Sequence, residues 1–284
     1  MLYKKNSSPA LSEELFKNPT SEYRGTPFWA WNNFLTSEEL CRQIDIFKEM
    51  GLGGFHMHVR TGLKNTYLDD KYMALVKDCV EKAKSEDMLA WLYDEDRWPS
   101  GAAGGLVTKD AQYRSRSLIF TANLEGPAFE KKGASRAEAS RTGNGNLLAV
   151  YDVCLDENGY LESYKKIEKD DMAEGKKWYA ILEICSDSSW YNDQAYADTL
   201  NKKAIERFIE VTHERYKNAV GDEFDKTVPA IFTDEPQFTR KQTFENSFDT
   251  DDVAMPWTDK VPELYKELYG ADIHPPVSPY KSAP

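Results

Sequence analysis

Only four cysteines occur in 284 residues, with no CxxC spacing among them, which leaves little scope for a disulfide framework or a zinc site. Cys41 and Cys79 fall within amphipathic helical patterns, as reduced packing residues do, and Cys154 and Cys185 stand far from both. No apolar run approaches the ~18 residues that a membrane span needs. The start, Met1-Leu-Tyr-Lys-Lys-Asn-Ser-Ser-Pro9, carries charge without an apolar stretch behind it. No signal peptide is visible there, and a soluble, cytoplasmic product is expected. Positive charge is also in deficit: 36 Lys and Arg against 48 Asp and Glu give a net charge of -12. That balance argues against nucleic acid or an anionic membrane as the main partner.

What the chain does have is a 40% hydrophobic content, enough to fill a core, and a 13% aromatic content. Seven Trp and sixteen Tyr on an acidic chain suit a neutral polar ligand such as a sugar.

From Pro27 the pattern alternates strand and helix. Phe28-Trp-Ala-Trp-Asn-Asn33 reads as a first strand. A helix then runs to Met50, capped by Thr36 or Ser37, with Glu39 as a capping-box partner. Gly51-Leu-Gly-Gly54 releases the strand 55–59, a helix over 69–87 comes next, and the strand 89–93 completes the third unit. Such spacing indicates βαβ units and a parallel sheet. Between 111 and 199 the signals turn β-rich and antiparallel, with Asp156-Glu-Asn-Gly159 as a hairpin turn and 131–146 as a polar loop. The strand–helix rhythm resumes with a helix over 200–219 and a strand over 229–233. A polar loop of roughly 25 residues and the short helix 261–269 come next.

The expected fold is therefore an α/β chain of (β/α)8 TIM-barrel type with about the first four βα units present. Residues 1–110 carry strands one to three, 111–199 an antiparallel β-rich insertion after strand three, and 200–284 the continuing barrel. The remaining strands are expected in a longer chain or a second subunit.

Three segments end apolar strands on chemistry-bearing residues, where barrel enzymes keep their sites. Ala230-Ile-Phe-Thr-Asp-Glu-Pro236 ends on Asp234 and Glu235. Glycoside hydrolysis needs two carboxyl groups, one of them a general acid. Glu235, with the longer reach, is expected to be that acid and Asp234 its neighbour; a polar loop start or a helix-capping acid is the alternative. Tyr93-Asp-Glu-Asp-Arg-Trp-Pro-Ser-Gly101 puts Asp94 and Asp96 on one face by the period of two. Arg97 could pair with either acid, and Trp98 offers a flat face to sugar C–H groups, or else an Asp–Arg pair and a core Trp. His56 and His58 share a face opposite Phe55, Met57 and Val59, with Arg60 just beyond. They read as substrate hydrogen-bonding groups, satisfied core polar groups or a metal pair. The metal reading lacks partners, because His213 sits mid-helix and His274 in the Pro-rich tail. Trp29, Trp31 and Asn33 alternate onto one face, as a sugar subsite or as barrel packing.

Phe28-Trp-Ala-Trp-Asn-Asn33, the run KEMGLGGFHMH, YDEDRWPSG and Ala230 to Pro236 together resemble the barrel of glycoside hydrolase family 106 and related uncharacterised bacterial glycosidases. The resemblance covers about 22–110 and 200–270, with Trp98-Pro-Ser-Gly101 its most specific piece. It implies an inverting hydrolase of the α-L-rhamnosidase kind acting on an oligosaccharide or polysaccharide, with paired glutamates and a bound calcium. Glu235 matches the acid position, and the second glutamate would lie on later strands. The rival readings are a metal-dependent barrel hydrolase using His56 and His58, and a non-catalytic sugar-binding half-barrel.

Overall fold

The computed structural model describes residues 10–125 and 145–273. The tail containing His274 and most of the expected loop 131–146 lie outside the described residues. The described chain forms two compact units. One takes the chain up to Val107 with Trp190–Asn192 and Ile205–Pro236; the other takes Thr108–Ser189, Asp193–Ala204 and the chain from Gln237 onward.

In the first unit, a short helix α1 (Glu13–Lys17) precedes β1 (Phe28–Trp31), α2 (Ser37–Glu49), β2 (Gly54–Val59), α3 (Asp70–Ser85) and β3 (Leu89–Tyr93). Thr36 caps α2, its hydroxyl accepting from Glu39 N at 3.3 Å, and Asp69 caps α3 by accepting from Tyr72 N at 2.7 Å. Each such cap is worth about 1 kcal/mol. Gly54 sits where β2 crosses close to its neighbour: a Cβ there would collide with the Leu89 carbonyl.

The chain returns to this unit through α4 (Lys202–Val211) and α5 (His213–Val220), then adds β8 (Ile231–Phe232), the four intervening strands belonging to the second unit. The sheet is wholly parallel, in the order β1-β2-β3-β8. It is open, with β1 and β8 as its edges, so the closed barrel expected from the sequence is not formed by the described residues. The helix expected over 200–219 is two helices that meet at Thr212, where φ is -114° and ψ -77°. The Thr212 hydroxyl donates to the Phe208 carbonyl at 2.6 Å, beside the helical bond from Thr212 N at 3.0 Å, a back-bond that bends helices.

Register decides what each face of the sheet carries. Phe28 pairs with His56 and Ala30 with His58, while Trp29 and Trp31 pair with Met57 and Val59. Side chains of paired residues project to the same side. Trp29 therefore packs on Phe47 of α2 at 5.3 Å and on Phe55 at 5.1 Å, and Trp31 on Tyr72 of α3 at 5.6 Å. Trp31 is 0% exposed, so this side is the helix-facing core.

The second unit is an antiparallel sheet of β4 (Arg116–Thr121), β5 (Asn146–Leu155), β6 (Leu161–Ile167), β7 (Lys176–Ile184) and β9 (Val253–Trp257). Their order in the sheet is β6-β5-β7-β4-β9. The β5–β6 turn is the expected one: Asp156 accepts from Asn158 N at 2.9 Å and Tyr160 N at 2.8 Å, and Gly159 takes a φ of 80°. Phe120 stacks on Trp178 at 4.8 Å within an apolar cluster that includes Tyr151, Val153 and Trp257. β9 falls inside the stretch read from sequence as a polar loop. It survives Pro256 because it is an edge strand, where the missing N–H can face outward. The helix α6 (Val261–Tyr269), expected to continue the barrel, comes after β9 in this second unit.

Candidate active site

On the sheet side opposite α2 and α3, aromatic and imidazole rings gather in one patch. Phe28 lies 5.2 Å from His56, 4.6 Å from His58 and 5.2 Å from Phe232. His56 stacks on Trp91 at 4.9 Å and His58 on Tyr93 at 3.9 Å. Phe28 is 59% exposed, so the patch is open at the β1 edge. Burial lowers the pKa of His56, and it lowers that of His58 to about 4, with the Arg60 charge adding to it. Both shifts favour the neutral imidazole, and the Nδ1 atoms are buried without a hydrogen-bond partner among the described residues.

At the C-terminal ends of β3 and β8 stand two Asp-Glu pairs. Asp94 and Glu95 are both fully buried. Asp94 accepts from the Ser100 hydroxyl at 2.7 Å and the Thr233 hydroxyl at 2.6 Å, with His213 Nε2 at 3.4 Å. Its pKa is raised by burial, against those hydroxyls and the imidazole. The mid-helix position expected for His213 is thus corrected: the break at Thr212 starts a new helix with His213 as its first residue, bringing the ring to Asp94.

Glu95 is a residue that sequence reasoning misses. Its carboxylate accepts from the backbone N–H groups of Asp96 at 3.0 Å, Gly101 at 3.1 Å, Ala102 at 2.9 Å and Ala103 at 2.7 Å, and also from that of Gly104. Burial, and then the neighbouring Asp96, raise its pKa while the converging N–H groups pull it down. Ala103 at φ 50° and Gly104 at φ 62° turn the backbone so that successive N–H groups point inward. A left-handed Ala costs roughly 1–2 kcal/mol, which the carboxylate offsets. The available signal is Gly101, Gly104 and Gly105 downstream of an acid: a glycine-rich turn needs an anion or acceptor for its converging N–H groups.

Asp96 pairs with Arg97 at 3.1 Å and accepts from Asn192 Nδ2 at 2.6 Å, so the expected Asp–Arg pair is formed. Trp98 is next, 38% exposed and joined to Pro99 by a cis peptide bond. Its indole N–H donates to Glu235 Oε2 at 3.0 Å. Ser100 N donates to the Asp234 carbonyl at 2.8 Å, and the Ser100 hydroxyl accepts from Asp234 N at 2.9 Å. Three bonds thus tie the 96–104 loop to Asp234 and Glu235.

This second pair is open. Asp234 is half-buried, its pKa raised by burial and then by the Glu235 charge, with Arg60 opposing. Glu235 is exposed and takes a φ of 43°, a left-handed turn just before Pro236. Arg60, exposed at the end of β2, is close enough for its charge to act on Asp234, His58 and Tyr93. The structure thus brings together Arg60, Trp98, Asp234 and Glu235 above the patch containing His56 and His58. Trp29 and Trp31 are set apart on the helix-facing side, where no ligand on the patch could touch them. Asn33 is exposed beyond β1, its Oδ1 accepting from Phe34 N at 2.9 Å.

The calcium and the His56–His58 metal reading both need a third donor. Among the described residues no three His, Cys, Asp or Glu side chains form a group that could hold a metal ion. No helix among the described residues is long and apolar enough to cross a membrane.

No protein-family model and no curated protein matches the chain. Among solved structures, the rhamnosidase from Novosphingobium sp. PP1Y is similar at 12% identity and a TM-score of 0.49, over 93% of this chain and 42% of that one. The chain thus spans less than half the length of that enzyme.

Proposed function

We propose that the first unit carries part of a glycoside hydrolase site of (β/α)8 type, with Glu235 as general acid. The observation that carries this reading is the open Asp234–Glu235 pair at the C-terminal end of a parallel sheet, beside an exposed tryptophan and above an aromatic patch. A sugar ring lying on Phe28, Trp91 and Phe232 would bury C–H surface on the rings. Arg60 and the imidazoles of His56 and His58 would border its hydroxyls. Glu235, desolvated by the bound glycan, would protonate the leaving glycosidic oxygen as the C–O bond breaks. Asp234 would face the positive charge that develops on the ring. A second carboxylate, which activates water or attacks the sugar, is expected on later strands supplied by a longer chain or a second subunit. The motif resemblance favours α-L-rhamnosides.

The test is release of nitrophenol from a panel of aryl glycosides by the native, complete protein, α-L-rhamnoside first. Turnover of any member that Glu235→Gln lowers by a hundredfold or more supports the reading. Turnover unchanged in Glu235→Gln removes Glu235 from the mechanism. Saturable glycan binding with no turnover supports a sugar-binding module instead.

A further inference from the structure

Glu95 touches neither the aromatic patch nor the open acid pair, yet the loop that does touch the pair is gathered around it. Its Oε2 accepts from the N–H groups of Gly101, Ala102 and Ala103, and its Oε1 from those of Asp96 and Gly104. A fully buried carboxylate with five donors of one loop is the centre on which that loop is wound. The residues between those donors are the ones that reach across: Trp98 to the Glu235 carboxylate, Ser100 to the Asp234 backbone and to Asp94.

We propose that Glu95 is a positioning residue, holding the 96–104 loop so that Trp98 meets Glu235 and Ser100 meets Asp234. The functional part of this inference rests on Glu235 being the working acid; the conformational part does not. Glu95→Gln keeps shape and one acceptor oxygen. The amide settles best with that oxygen on the three N–H groups of Gly101 to Ala103, which leaves Asp96 and Gly104 facing an NH2 group. A loop released on one side shifts Trp98 relative to Glu235, and a displacement near 1 Å costs about a hundredfold in rate.

The experiment compares wild type with Glu95→Gln in the full chain, by amide exchange, by the Trp98 indole proton resonance and by glycoside kinetics. The expected result has three parts. Exchange at Asp96 and Gly104 quickens at least about tenfold. The indole resonance moves toward its position in Glu235→Gln. The kcat falls by about a hundredfold, with KM held within about threefold because the aromatic patch is untouched. Looser amides with an unmoved indole and unchanged kcat would mean a merely structural carboxylate and overturn the proposal. If wild type hydrolyses nothing, the catalytic reading fails while the indole resonance still decides the positioning role. If Glu95→Gln does not fold, wild type carries the test: Gly101 to Gly104 and the Trp98 indole must open together, with one temperature dependence. Independent openings overturn it.

Discussion

Two Asp-Glu dipeptides end two strands of one parallel sheet, and they have opposite fates. Asp94-Glu95 leads into a glycine-containing loop that folds back, giving Asp94 the Ser100 hydroxyl and Glu95 its backbone donors, while Thr233 beyond β8 adds a second hydroxyl to Asp94. Asp234-Glu235 leads into Pro236, which has no N–H to give, and its carboxylates stay half-buried and exposed. The same two residue types are thus scaffold in one place and available in the other. The residues immediately after the acids decide between these fates, more than the acids themselves.

The contrast can be broken at either pair. Glu235→Gln should lower glycoside turnover by about 10^2- to 10^4-fold while the melting temperature moves by less than about 2 °C, since an exposed side chain with one hydrogen bond is changed. Kinetics beside a melting curve checks both halves. Asp94→Ala should do the reverse in kind. It takes the acceptor from the buried Ser100 hydroxyl and should cost about 2 kcal/mol in denaturant unfolding, with an unchanged m-value. A loss under about 1 kcal/mol would remove the scaffold role.

A smaller effect distinguishes the two faces of the sheet. His58, 2% exposed, has its pKa lowered by burial to about 4, against about 6.5 when unfolded. Between these values the unfolded chain binds a proton that the folded chain does not. The stability involved is fully present above about pH 6.5 and is lost as pH falls through 4, by about 2–3 kcal/mol. Unfolding measured from pH 7 to 4 should therefore show a slope that His58→Phe reduces; an unchanged slope would mean the imidazole is solvated in the folded chain.

Much of the parallel unit is legible in the sequence because its signals are local. Thr36 and Asp69 cap the helices where a hydroxyl or carboxylate three residues before an N–H should, and Asn158-Gly159 turns the β5–β6 hairpin in the same local way. Non-local facts are not legible. A period of two says that Trp29 and Trp31 share a face, but only pairing with β2 says which face, and it is the one occupied by Phe55 and Met57. β9 is hidden by Pro256, since edge position is a property of the sheet and not of the segment. The break at Thr212 is hidden because the flanking sequences each suit a helix. Of the candidate site, Asp234, Glu235, Trp98, Arg60 and the two histidines are legible because each lies on an apolar strand or in the loop that follows one. Glu95 is legible only indirectly, because its partners are backbone donors and their one trace in the sequence is the set of glycines at 101, 104 and 105.

Carbodiimide coupling of an amine to the folded native protein, with peptide mapping of the product, tests the division between the two pairs most directly. Glu235 should label rapidly, slowed by a glycoside ligand, with Asp94 and Glu95 unlabelled until the chain unfolds. Labelling of Glu95 at the rate of Glu235 would contradict it.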